Sequence, residues 1–175
     1  MRGRMAMAGL VMLAGCVAPG RSPAPPPRPA PAPPPPAPAP QVDWPDLPLT
    51  PGGWTYVPGA AASAARFGPA GAAPLFVARC DRAARRVTMM RPAGAPAPGA
   101  PVTMAITTSA GDRSFPAGSI AGAPGMIGVI LTAADPFLDN MAFSRGRFVV
   151  TASGTARLVI PAWPEFARVV EDCRG

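Results

Sequence analysis

Sixteen of the chain's 28 prolines fall in residues 19–51, where they alternate largely with alanine and remove the backbone donor from about every second position. Such a segment has no apolar face to bury and no ladder of hydrogen bonds to offer, so it favours polyproline II over any packed element. Residues 22–40 would span roughly 60 Å at about 3.1 Å per residue, a stiff spacer. A ligand for an aromatic groove on a partner or for the cell wall is the sharper reading of the tract, but Pro-Ala runs are far more often linkers. Folding is thus left to residues 51–175, enough for one domain with a core and too few for two.

Upstream of the tract, Arg2 and Arg4 precede nine residues, 5–13, that carry no charge. That run is far short of the roughly 20 apolar residues a spanning helix needs, and it matches a signal-peptide h-region. It ends in Leu13-Ala14-Gly15-Cys16, which closely resembles the lipobox of bacterial lipoproteins. The resemblance implies that residues 1–15 are a leader cut just before Cys16, that the Cys16 thiol carries lipid, and that the new amino terminus is acylated. An ordinary secretory signal cut near Ala14 or Ala18 is the bland alternative. The family's sorting pattern, with Val17 after the cysteine, implies the outer membrane over the inner. The partner so implied is a membrane, held through lipid, with residues 16–50 as tether and the domain facing the periplasm.

The formal charge of +7 overstates any affinity for nucleic acid. Without Arg2 and Arg4, fourteen basic residues face nine acidic ones, a balance of +5, and every basic residue is arginine. Arginine without lysine, alongside excess Ala, Gly and Pro, fits a GC-rich coding bias better than selection for phosphate backbone, so no nucleic-acid partner is expected. Three cysteines are an awkward number for an exported chain; with Cys16 lipidated, Cys80 and Cys173 remain as a pair in an oxidising compartment, where a disulfide is the expected state. Two reduced, buried thiols are the alternative.

Alternation predicts a mainly β (α+β) fold, a small antiparallel sheet or sandwich with one short helix and a C-terminal helix. Trp54 and Tyr56 start a strand, and residues 66–68 form a second short one. Residues 75–80 and 85–90 form a hairpin across Asp81-Arg82-Ala83-Ala84. Residues 102–107 and 113–117 pair next, and the apolar run 126–133 reads as a buried strand, with helix as its alternative. Asp135 and Pro136 open a short helix carrying Phe137, Leu138 and Met141 on one face. Residues 147–152 and 156–161 make a closing hairpin. In a last helix from Pro164, Phe166, Val169, Val170 and Cys173 fall at i, i+3, i+4 and i+7, a stripe that must face the sheet. Cys80 shares a strand face with Phe76 and Ala78, so one crosslink would pin this helix to the core. This layout, ending in Asp172-Cys173-Arg174, loosely resembles periplasmic proteins of the invasion-associated locus B type. The segments around Phe143-Ser144-Arg145 and Trp163-Pro164-Glu165 are similar to those of alphaproteobacterial envelope lipoproteins. These resemblances imply a β-rich fold and no active-site residue.

Candidate chemistry is thin. Ala142-Phe143-Ser144-Arg145-Gly146 matches a variant of the hydrolase nucleophile elbow, but such a serine needs a histidine to take its proton, and the chain has none. Asp135 and Asp139 lie four apart, a spacing that capping and solvation explain without acid/base work. No histidine and no CxxC argues against a metal site, and no cofactor is expected. Arg79, Arg82, Arg85, Arg86 and Arg91 are the one dense charge group, a basic patch suited to anionic lipid, acidic glycan or an acidic envelope protein, or else a solvated edge. The leading expectation is therefore a non-enzymatic envelope lipoprotein with a binding or structural role; a histidine-free enzyme acting on cell wall or lipid is the runner-up.

Replacing the thiol tests the anchoring expectation. Cys16→Ala is expected to release the protein from the membrane fraction with its domain still folded, measured by fractionation after a carbonate wash. Retention in the pellet would overturn the lipoprotein reading.

Overall fold

The computed structural model describes Gly20 and residues 43–95 and 99–175; Cys16 and the Pro-Ala tract lie outside the described residues. Among the described residues, ten strands form two antiparallel sheets. The larger sheet runs in the order β1-β2-β3-β4-β8-β7, with β1 Gly53–Val57, β2 Ala62–Gly68, β3 Phe76–Asp81, β4 Arg86–Pro92, β7 Gly118–Ile120 and β8 Ala123–Thr132. The smaller runs β10-β9-β5-β6, with β5 Thr103–Thr108, β6 Gly111–Pro116, β9 Arg147–Ala152 and β10 Leu158–Pro161. Helices α1 Phe137–Ala142 and α2 Pro164–Arg174 complete the domain.

The expected hairpins form where alternation puts them. Residues 76–81 pair with 86–92, and the turn between them closes with Arg85 in the left-handed region at φ 50°. The run 126–133 is a strand rather than a helix, and it begins earlier, at Ala123. At Gly128, opposite Met90, a Cβ would meet Met90 Cβ at 2.9 Å and Ile120 Cγ1 at 3.0 Å, so glycine leaves the room in which the short β7 strand closes over this point. Helix α1 starts one residue later than Pro136, yet the Asp135 carboxylate still caps it, accepting the Phe137 N–H at 2.9 Å.

One aromatic cluster joins the layers. Trp54 and Phe67 from the larger sheet lie 5.5 Å apart between ring centres, Phe76 meets Phe148 of the smaller sheet at 6.1 Å, and Phe166 of α2 sits 5.8 Å from Phe148. The Trp54 indole N–H donates to the Pro161 carbonyl at 2.8 Å, tying β1 to the end of β10. The predicted stripe on α2 is buried as its period requires, with Phe166, Val169, Val170 and Cys173 each at most 2% exposed. Cys173 is disulfide-bonded to Cys80 on β3, with Cα atoms 5.4 Å apart.

The tether ends earlier than composition places it. A 3-10 turn, Trp44–Asp46, leads into residues 47–50, which lie along β10. Thr50 N–H donates to the Val159 carbonyl at 2.9 Å, the Thr50 hydroxyl accepts the Val159 N–H at 2.9 Å, and Arg147 donates to the Leu47 carbonyl. The segment therefore shields an edge strand that would otherwise present open donors and acceptors.

With 92 residues between the cysteines, loop closure alone assigns the disulfide on the order of 4.5 kcal/mol, an upper figure. Cys80→Ala and Cys173→Ala are each expected to lower stability by about 2–4 kcal/mol, and the double variant by about the same amount. Urea unfolding of the three variants, with non-reducing peptide mapping of the exported protein, measures it; additive losses or unlinked cysteine peptides would refute the bond.

Candidate functional site

The five arginines grouped by the sequence do not form one patch. In β4, residues 86, 88 and 90 face outward and 87, 89 and 91 inward, so Arg91 points between the sheets. There it is only 5% exposed and donates to the Ala156 carbonyl at 2.9 Å and the Val150 carbonyl at 3.5 Å. Burial lowers the pKa of this guanidinium below its ordinary value. Arg91 is a clip between the two sheets and leaves the patch. Arg82 pairs with Asp172 on α2 at 2.8 Å, and Arg85 donates to the Arg174 carbonyl at 2.6 Å, so both serve to dock the terminal helix. Arg79 and Arg86 remain on the outer face, both exposed.

A residue outside the expected group joins them. Arg66 on β2 faces outward beside Arg79: it is opposite Val77, two residues along from Arg79, which makes the two arginines diagonal neighbours, about 7–8 Å apart. Together they line a groove of about 460 Å³ whose floor is Ala64, Val77 and Met90, with Met126 and Ala123 at its far side. Ala64, Val77 and Met90 are nearly covered, while Ile130, one strand over, is 52% exposed. The described ion pairs, Arg82 with Asp172, Arg113 with Asp135 and Arg174 with Asp139, all lie elsewhere. Arg66, Arg79 and Arg86 have no carboxylate partner among the described residues. Asp81, opposite Arg86, is the single acidic residue in the six strands of this sheet, and its carboxylate accepts the Ala84 N–H at 3.0 Å.

Ser144, Asp135 and Asp139, the residues the sequence singled out for nucleophilic or acid/base character, each make hydrogen bonds within the fold. Ser144 is 6% exposed, donates to the Arg147 carbonyl at 2.5 Å and accepts the Ser109 N–H at 3.0 Å, which fixes the turn from α1 into β9. Asp135 is held by Arg113, whose guanidinium reaches both carboxylate oxygens at 3.0 Å. Asp139 pairs instead with Arg174, at 2.7 and 3.1 Å, so the two aspartates answer to different arginines and form no acid/base couple. No cluster of three or more histidine, cysteine or acidic side chains suited to a metal comes together among the described residues.

On the inner side, Asp172 is the hub of the helix dock. Its carboxylate accepts the Tyr56 hydroxyl at 2.6 Å and the Arg82 guanidinium, and Arg168 stacks on the Tyr56 ring at 4.4 Å. Burial works against its charge, but donation from neighbouring hydroxyls, Tyr56 among them, and the Arg82 charge outweigh it and hold the carboxyl below its ordinary range. A carboxyl lowered in the folded state stabilises above the unfolded carboxylate range, and that stability is lost as pH falls through the folded value. Asp172→Asn should therefore cost about 1–2 kcal/mol at neutral pH. The gap to the wild type should close in strong acid, as read by urea unfolding across pH; a gap independent of pH would contradict the assignment. No family model, curated protein or solved structure matches the chain, so the role of the outer face rests on its own geometry.

Proposed function

We propose that this chain is a lipid-anchored envelope lipoprotein whose domain binds an anionic ligand on the outer face of its larger sheet and performs no chemistry on it. The reading rests above all on one observation, that Arg66, Arg79 and Arg86 share this face without a carboxylate partner among the described residues. Arg66 and Arg79, diagonal neighbours on adjacent strands, repel one another, so an anion bridging these two relieves that repulsion and gains charge-assisted hydrogen bonds as well. The lipobox-like Leu13-Ala14-Gly15-Cys16 and the Pro-Ala tract support the anchoring half, since together they suit a domain held off a membrane on a spacer. The enzyme reading loses its named candidates, because Ser144, Asp135 and Asp139 already spend their hydrogen bonds on the fold.

Chromatography on an immobilised phosphate resin tests the face. The triple variant Arg66→Gln, Arg79→Gln, Arg86→Gln is expected to elute at clearly lower salt than the wild type. A charge-matched control, Arg21→Gln, Arg145→Gln, Arg157→Gln, should elute close to it. Equal shifts would mean that net charge alone sets retention.

A further inference from the structure

The floor of the groove says more about the ligand than its charged rim. Its side chains Ala64, Val77, Met90, Met126 and Ala123 are aliphatic, no aromatic ring lines the groove, and its one uncharged polar residue, Ser63, is paired with the inward-facing Cys80 of β3. Sugars are held through aromatic platforms and planar hydrogen-bonding side chains, which this floor lacks. An acidic peptide would be drawn to open strand edges, whereas this face presents the centre of a six-stranded sheet. An alkyl chain suits the floor, since burial of its methylenes needs no polar partner. The unbranched thioethers of Met90 and Met126 adapt to such a chain better than branched side chains would. At the rim, Arg66 and Arg79 stand as diagonal neighbours on β2 and β3, and two guanidinium forks at that spacing match the oxygens of one phosphate group.

Resting on the reading of this face as an anion site, we infer that the ligand is an amphiphile with a phosphate head and an alkyl or acyl chain, a phospholipid monomer rather than a free anion. The head sits between Arg66 and Arg79, and the chain lies across Val77 and Met90 towards Met126. The groove of about 460 Å³ is open along its length and holds one chain in part, so affinity rises with chain length until the floor is covered.

The test uses the full chain carrying Cys16→Ala, which frees it of its own lipid, and the series butyl, hexyl, octyl and decyl phosphate below their micelle concentrations, with glycerol phosphate as the chainless anion. Titration is followed calorimetrically and by NMR of carbon-13-labelled methionine methyls, assigned with Met90→Leu and Met126→Leu. The expected result is a gain of about two- to fourfold in affinity per added methylene, with the Met90 and Met126 methyls shifting. Arg66→Glu with Arg79→Glu, both at exposed positions, should cut decyl phosphate affinity tenfold or more. Equal affinity for glycerol phosphate and decyl phosphate, lost in the Arg66→Glu, Arg79→Glu variant, overturns the alkyl-chain inference and leaves the anion site standing. Absence of binding by every phosphate probe, or binding indifferent to the double variant, overturns both.

Discussion

Trp54 is the residue on which the two sheets meet. Its ring contacts Phe67 and Phe76 of its own sheet and Phe166 of the terminal helix, while its indole N–H reaches the Pro161 carbonyl at the end of β10. Each aromatic contact of this kind contributes about 0.5–1.5 kcal/mol beyond area burial. The hydrogen bond adds direction to what is otherwise non-directional packing, so it sets where the smaller sheet lies over the larger. The remaining devices act on the same seam from other sides: the disulfide pins α2 to β3, Arg91 clips β4 to the β9–β10 corner, and residues 47–50 cover the edge of β10.

Arginine serves two opposed purposes in this domain. Arg82, Arg91, Arg113, Arg147 and Arg174 spend their donors on carbonyls and carboxylates within the fold. Arg174 is the fullest case: its bond to Asp139 keeps it protonated even more firmly than usual against the opposing cost of burial, and it also donates to the Ala133 carbonyl. A lysine could not replace it, because a single ammonium cannot serve a carboxylate in fork geometry and a carbonyl at once. Arg66, Arg79 and Arg86, by contrast, stand on a face with one acidic residue and no internal ion pair among the described residues. That division, rather than net charge, distinguishes a structural arginine from one free to meet a ligand.

Much of the fold was legible in the residues alone, because elements such as β5, whose burial alternates strictly, and α2, which buries a single stripe, have one wet face and one dry one, whereas β10 is buried throughout. Period-2 alternation located the hairpins, and the 3.6 period of Phe166, Val169, Val170 and Cys173 located the buried side of α2 and hence the partner of Cys80. The sequence also placed Ser144 where a helix end enters a strand, and there its hydroxyl bonds the Arg147 carbonyl. Alternation within β4 was enough in principle to separate Arg91 from Arg86; grouping the arginines by nearness in sequence passed over it.

What the tertiary structure alone decided is which residues of different strands come together. Arg66 and Arg79 are thirteen positions apart, and only the β2–β3 register makes them diagonal neighbours over Val77. The short β7 strand forms because Gly128 leaves room beside Met90, and residues 47–50 order because β10 has an edge to cover. Local periodicity is a property of one segment and its solvent, so the sequence carries it openly. Register and edge protection arise from the meeting of segments far apart in the chain, and they exist only once the sheets have closed on the Trp54 cluster.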